Sequence, residues 1–434
     1  MAEGWSSGRR SPGRRALRSR GRVLHGVVAA GRARGLRWSQ VRAAYGRTCL
    51  VLLGLGTTAP LFLTPGPLSG PRLGDLALLT ALPMAVVEFR RMTRPLRAIG
   101  WIAAFVLTVT LLVQQSAIGA GFDAGDAAFW FRWIAASLVA PPVAGLLVRD
   151  ATCRPLFFAA VLAGAAVHVA TSGLSLLIGR EALQAVGLAS PRAMVTTVAA
   201  QVRITTLAEH PNAAMAMIGL AVPAGIALAR GRWTRGVATW VGVGLALAGF
   251  VGTLSRAGLA AAGVAWLARI AVGWRWRERF NVLGAVLALC VVAAGVLTLQ
   301  GGADLDDMRF AERFDRSALA DNLAGRVETW RRTLDQVAVG PWGAGWTTAR
   351  EMGADRALSV SHNGYLFMAR TVGMAAAVVL FALHLVSAAR MDVFTPLSAY
   401  LLTAMFAEDL TQGAGFVFLC CLVAALAWRG ATPP

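Results

Sequence analysis

The sequence predicts an all-α fold, a polytopic membrane helix bundle of about 12 transmembrane helices with a helical extracytoplasmic cap between helices 9 and 10. Composition is the first observation behind this prediction. Of the 434 residues, 56% are hydrophobic and only 15% are charged, whereas an ordinary soluble domain has about 25% charged residues. Long apolar runs and an alternation of basic and non-basic loops are the other two. Together they exclude a soluble globular enzyme and a disordered protein.

The chain begins with a basic segment, residues 1–47. All 42 basic residues of the protein are arginines, and twelve of them lie in this segment, before the first apolar run. A net charge of +20 raises the alternative of nucleic-acid binding. A basic segment next to a membrane span, however, normally sets topology and contacts anionic lipid. We therefore expect a cytoplasmic tail at the bilayer surface and no nucleic-acid partner.

The apolar runs after the tail predict the transmembrane helices, since a span needs about 20 apolar residues. The predicted spans are 48–64, 73–89, 98–114, 127–148, 156–178, 212–229, 236–254, 257–273, 281–299, 364–388, 395–407 and 413–428. The weakest is 395–407, so eleven spans are the alternative. This divides the chain into residues 48–299 with nine spans and an outer loop at 179–211, a cap at 300–363, and residues 364–434 with three spans and a short cytoplasmic C-terminus.

Loop charge predicts the orientation. Alternate short loops are rich in arginine, as at 90–97 and 275–279, while the loops between them are neutral or acidic, as at Glu408 and Asp409. Because basic loops stay in the cytoplasm, both termini are expected inside. The two acidic residues at 408 and 409 would then lie in the last outer turn.

The cap is expected to contain one amphipathic helix. Residues 300–363 hold ten of the 22 acidic residues, which is typical of a segment outside the membrane. Apolar residues recur there at steps of three and four, the spacing of one helix face: Leu323, Val327, Trp330, Leu334 and Val337. The predicted helix runs from about 321 to 338, with Asp321 as its cap and Gly340-Pro341 as its end.

Four polar motifs fall at the predicted outer boundary. They are Arg203 with His210-Pro211-Asn212, the turn Ser255-Arg256, the stretch Arg326-Val-Glu-Thr-Trp330 followed by Gly343-Ala-Gly345, and Ser361-His362-Asn363-Gly364-Tyr365. In this order and on this face they resemble the O-antigen ligase/polymerase family of bacterial cell envelopes. The resemblance covers roughly residues 200–380. His210 and the basic tail lie outside the family pattern.

The resemblance implies glycan transfer on the outer face of a bacterial inner membrane, by inversion and without a metal or cofactor. The donor would be a glycan on polyprenyl diphosphate, and the acceptor a hydroxyl of another envelope glycan or glycolipid. Arg256 and Arg326 would bind the diphosphate, and His362 would be the general base. The substrate-binding residues would be Arg203, His210, Asn212, Asn363, Tyr365 and Arg370. These residue types suit the chemistry, because Arg binds phosphate oxygens in a fork and neutral His accepts a proton near pH 7.

Each central residue also has a structural alternative. Arg256 could anchor a helix at the interface, Arg326 could pair with Glu328 or Asp321, and His362 could help to cap the tenth span. At the level of function, a polymerase would use the same donor with a different acceptor. A 12-span transporter and a non-catalytic envelope-assembly scaffold are the alternatives from other classes. A two-halved transporter normally has a long cytoplasmic middle loop, whereas the long loops predicted here face outward.

Overall fold

The computed structural model describes residues 40–63, 71–92, 94–117, 124–190, 196–198, 201–203, 207–208, 210–229, 234–272, 316–345, 363–408, 410 and 413–428. The chain divides into two compact units, Met1–Thr48 and Cys49–Pro434. The described part of the first unit, residues 40–48, is helical. The second unit contains all the features discussed below.

Helices make up almost all of the described part of the second unit. They are α1 (49–58), α2 (Leu73–Phe89), α3 (Arg94–Ala117), α4 (Ala124–Arg149), α5 (Cys153–Ile178), α6 (Arg180–Ala185), α7 (Pro211–Gly219), α8 (Ala221–Leu228), α9 (Thr234–Thr253), α10 (Arg256–Val272), α11 (Arg316–Val339), α12 (Gly364–Thr371), α13 (Met374–Ala389), α14 (Thr395–Ala407) and α15 (Ala414–Leu426). The predicted all-helical bundle is therefore correct in its main part.

One short hairpin departs from the all-α prediction. Strand β1 (Thr196–Val198) pairs antiparallel with β2 (Gln201–Arg203), and Thr196 lies opposite Arg203. Both strands lie in the predicted outer loop 179–211. The residues of β1 are Thr, Thr and Val, which are β-branched and favour extended backbone. The hydropathy pattern used for the spans does not detect such a short pair.

Two predicted spans are broken helices. The span at 212–229 divides into α7 and α8 because Pro223 cannot donate to the carbonyl four residues earlier, and α7 ends at that residue, Gly219. The span at 364–388 divides into α12 and α13 at Gly373, whose φ of +126° is one that side-chain-bearing residues rarely adopt. Both breaks leave backbone groups inside the bundle that other segments must satisfy.

Five helical segments among the described residues are long and apolar enough to cross a membrane. They are Arg97–Ser116, Ala124–Arg149, Cys153–Ile178, Pro211–Leu228 and Gly236–Thr253, and shorter apolar helices follow at Met374–Ala389, Thr395–Ala407 and Ala414–Leu426. The protein is thus a membrane protein. The count of twelve spans stays a prediction, and the span at 281–299 lies outside the described residues.

Glycines bring α1, α2 and α15 into backbone contact. A Cβ at Gly56 of α1 would lie 2.9 Å from the Cα of Gly74 in α2, and a Cβ at Gly74 would lie 3.1 Å from the amide nitrogen of Gly415 in α15. A Cβ at Gly415 would in turn collide with the carbonyl oxygen of Gly56. Helices in membranes associate by such close approach of small residues. The three glycines therefore fix α1, α2 and α15 against one another.

Helix α11 lies where the cap helix is predicted, but its packed face coincides only partly with the predicted apolar stripe. It spans Arg316–Val339 and ends immediately before Gly340-Pro341. Thr333 and Val337 are buried, whereas Val327 and Leu334 are 51% and 45% exposed. Burial of Thr333 is possible because its hydroxyl donates to the carbonyl of Thr329 within the helix. The predicted apolar stripe is therefore only partly the packed face.

Candidate functional site at the end of α14

Three helices begin where α14 ends. The second residue of α7, Asn212, bonds to Glu408, the residue that follows α14. The first residue of α12, Gly364, lies so close to the end of α14 that a Cβ there would be 3.3 Å from the carbonyl oxygen of Glu408. The third helix, α10, packs against both α14 and α7, and Gly258 near its start lies against Met215 near the start of α7. Since a helix N-terminus carries partial positive charge, this arrangement favours an anion.

Glu408 and Asn212 connect two of these segments. The Nδ2 of Asn212 donates to Oε2 of Glu408 at 2.8 Å, and Glu408 is only 5% exposed. His210 caps α7, because its Nδ1 accepts from the backbone N–H of Asn212 at 3.3 Å. His210 thus has the backbone-satisfying contact that a histidine beside proline often makes. From the sequence, Glu408 is expected only as a residue of an outer turn, and its pairing with Asn212 is not predicted.

Arg326 reaches the same place from α11. Its Nη1 donates to the carbonyl oxygen of Ala407, the last residue of α14, at 2.9 Å. The C-terminal carbonyls of a helix carry partial negative charge, so the guanidinium is well placed there. Of the two alternative partners, the side chain of Asp321 lies outside the described part of the chain. The other, Glu328, bonds to Arg332 at 2.8 Å. That hydrogen bond from Arg332 lowers the pKa of Glu328 below its ordinary value.

Arg256 is the first residue of α10 and follows a strained turn. Leu254 has a φ of +50°, a left-handed conformation uncommon for leucine, and Ser255 is 1% exposed. Two residues into α10, Gly258 packs directly on Met215 of α7, one helical turn after Asn212. The starts of α7 and α10 therefore lie side by side, and Arg256 is placed at the same end of the bundle as Asn212.

The fourth motif is described only from Asn363 onward. Asn363 is 3% exposed and caps α12, with its Oδ1 accepting from the N–H groups of Tyr365 and Leu366. His362, the candidate base, lies outside the described residues. Its neighbour in the chain, Asn363, caps α12, and the first residue of that helix, Gly364, lies close to Glu408.

Tyr365 and Arg370 lie within the bundle. The hydroxyl of Tyr365 is 2.8 Å from Nδ1 of His384, whose Nε2 is 2.9 Å from the carbonyl oxygen of Cys420. Arg370 is 5% exposed and lies over the ring of Phe367. Their predicted substrate contacts remain predictions.

An ion pair between two helices holds another charged side chain of the bundle. Arg132 of α4 forms an ion pair with Asp75 of α2, with Nε at 2.6 Å from Oδ1 and a second hydrogen bond at 3.1 Å. This explains an arginine inside a span without a functional role. Arg203 lies on β2 opposite Thr196. Across the described residues, no three His, Cys, Asp or Glu side chains converge as a metal site.

The comparison with protein families covers three of the four motifs, because the motif at Arg203–Asn212 lies before the matched residues. Residues 241–381 match the family model described as O-antigen ligase. Over these residues the chain is similar to an O-antigen ligase domain. The match confirms the family resemblance drawn from the motifs, and it includes Arg256, Arg326, His362 and Arg370. No curated protein matches the chain.

The matched segment does not contain all the residues that meet at the end of α14. Asn212 lies before the matched segment, and Ala407 and Glu408 lie after it. The structure supplies these partners from α7 and α14. A signal for Glu408 exists in the sequence, since it is an acidic residue between two apolar runs of a chain that has few acidic residues.

Proposed function

We propose that the protein is an O-antigen ligase-like glycosyltransferase of the plasma membrane. It would move a glycan from polyprenyl diphosphate to a hydroxyl of an envelope glycan or glycolipid on the outer face. The observation that carries this proposal is the meeting of Arg326, Asn212 and Glu408 at the end of α14, next to the N-termini of α7, α10 and α12. The similarity to an O-antigen ligase domain supports the substrate class.

Arg256 and Arg326 are the proposed ligands of the donor diphosphate. When the bond between the anomeric carbon and the phosphate oxygen breaks, negative charge develops on the diphosphate leaving group. Fixed arginines and helix N-termini stabilise that charge in the transition state. The Nη1 of Arg326 donates to the carbonyl of Ala407, and a guanidinium has five N–H donors in all. It can therefore keep its contact with α14 while it binds phosphate oxygens.

His362 is the proposed general base. A neutral imidazole takes the proton of the acceptor hydroxyl while the oxygen attacks the anomeric carbon from the side opposite the diphosphate. The new glycosidic bond then has inverted configuration. His362 immediately precedes Asn363, the cap of α12, and that helix begins against Glu408. This position supports placing the base beside the diphosphate ligands. Asn212, Asn363, Arg203 and His210 are proposed to contact the substrates, and Tyr365 and Arg370 to line the donor path.

The experiment is a transfer assay with the full-length protein in nanodiscs. The donor is a polyprenyl-diphosphate oligosaccharide, and the acceptors are lipid-anchored core glycans and polyprenyl-linked repeats, tested separately. We expect transfer by the wild type and none by His362→Ala. A lipid-anchored acceptor would establish a ligase, and a polyprenyl-linked acceptor would establish a polymerase of the same family. Failure to bind the donor would overturn the proposal in favour of a transporter or a scaffold.

A further inference from the structure

A buried glutamine on α3 joins two distant segments. The Nε2 of Gln114 donates to the carbonyl oxygens of Trp342 at 2.9 Å and Thr371 at 2.8 Å. These acceptors lie 228 and 257 residues later in the chain, and Gln114 itself is 1% exposed. A carboxamide has only two N–H donors, so both serve this contact. Gln114 lies outside the segment that matches the O-antigen ligase family, and both of its acceptors lie inside it.

The two acceptors belong to a pair of interlocked turns, residues 340–345 after α11 and residues 370–374 between α12 and α13. We call this pair the α11–α12 joint. Its backbone hydrogen bonds run from the N–H groups of Ala344, Gly345 and Met374 to the carbonyls of Arg370, Thr371 and Pro341, respectively, at 2.8–3.1 Å. A Cβ at Gly343 would lie only 2.7 Å from the carbonyl oxygen of Thr371. The joint is therefore a close backbone contact, and Gln114 holds one carbonyl from each turn.

The joint determines where the far end of α11 lies. Arg326 precedes Val339, the last residue of α11, by 13 residues, or about 20 Å at 1.5 Å per residue. A tilt of about 5° at the joint would shift Arg326 by roughly 2 Å over that length. The Nη1 of Arg326 lies 2.9 Å from the carbonyl oxygen of Ala407. A shift of this size would break that hydrogen bond.

We propose that Gln114 is a positioning residue for glycan transfer. It fixes the angle of α11 at the joint, and through that angle it holds Arg326 beside the end of α14. This role rests on the proposed function, in which Arg326 binds the donor diphosphate. The substitution Gln114→Leu removes both donors at similar size. Its neighbour Gln115 is partly exposed, so Gln115→Leu is a matched control.

A double-mutant cycle tests whether Gln114 acts through Arg326. Transfer is measured for Gln114→Leu, Arg326→Ala and the double variant, as full-length protein in nanodiscs. We expect a loss of about tenfold for Gln114→Leu, because a misplacement near 1 Å can cost up to about 100-fold, and no change for Gln115→Leu. The double variant should be no slower than Arg326→Ala alone. If Arg326→Ala is impaired by itself and the double variant loses the product of the two single losses, the positioning role is overturned.

Hydrogen exchange tests the joint without reference to activity. The amides of Ala344, Gly345 and Met374 should exchange about tenfold faster or more in Gln114→Leu, as expected for easier local opening. Unchanged exchange would overturn the role of Gln114. Full transfer by Arg326→Ala would overturn the proposed function of Arg326 and, with it, the positioning role, even where exchange is faster. If Gln114→Leu does not insert into the membrane, Gln114→Met takes its place, because methionine keeps the side-chain length and also lacks the two donors.

Discussion

Replacement of Arg326 by alanine gives the sharpest test of the site. The guanidinium is half-buried, and its Nη1 donates to the carbonyl of Ala407. One preorganised contact to developing charge in a dry site contributes about 2–4 kcal/mol. Because a half-buried charge is partly screened by solvent, the lower part of that range applies. We expect kcat/KM for transfer to fall by roughly 30- to 100-fold.

The assay compares Arg326→Ala with Arg326→Lys and Arg331→Ala in nanodiscs. Lysine keeps the charge but lacks the planar fork, so it should recover only part of the lost rate. Arg331 is exposed and lies about 140° around the helix from Arg326, so its alanine variant should transfer normally. Equal losses at 326 and 331 would mean that general charge on α11, and not the contact at α14, is responsible. Wild-type kcat/KM in Arg326→Ala would refute the reasoning.

Three further predictions concern the base, the pairing at α14 and the glycine contact. His362→Ala should abolish transfer and leave donor binding largely intact, which a donor-binding titration checks; loss of both would contradict a role as base. Asn212→Ala should cost about 1.5–3 kcal/mol of stability, because the buried Glu408 carboxylate loses a hydrogen bond. In a Glu408→Gln background, Asn212→Ala should lower the stability by less. Equal losses of stability in the wild-type and Glu408→Gln backgrounds would argue against the pairing. Gly415→Ala should destabilise by about 1–3 kcal/mol through overpacking, measured by thermal unfolding, whereas Gly244→Ala, with open space around it, should not.

Much of the bundle could be predicted from hydropathy, because apolar length is a strong physical signal. The predicted spans 73–89 and 395–407 have the same bounds as α2 and α14. The breaks at Leu220 and Gly373 were not predicted, because apolar length does not show them. A proline such as Pro223 does not by itself mark a break, since Pro83 lies inside the continuous helix α2. The hairpin at Thr196–Arg203 was missed because its strands are too short to give a periodic pattern.

The site could be predicted only in part. The motifs at Asn212, Arg256, Arg326 and Asn363 identified segments that the structure brings to one end of the bundle. Their partners were harder to foresee. Arg326 contacts a backbone carbonyl of α14, and any residue can supply a carbonyl, so no sequence pattern marks it.

The length of α14 has a consequence for how deep the chemistry takes place. Its 13 residues give a helix of about 20 Å, whereas the hydrocarbon layer is about 30 Å thick. With Thr395 at the cytoplasmic boundary, as in the proposed topology, Ala407 and Glu408 would lie about 10 Å below the outer edge of the hydrocarbon. The glycan acceptor would then have to enter a recess in the membrane, and the phosphates of the donor would be drawn beneath the level of the surrounding lipid headgroups.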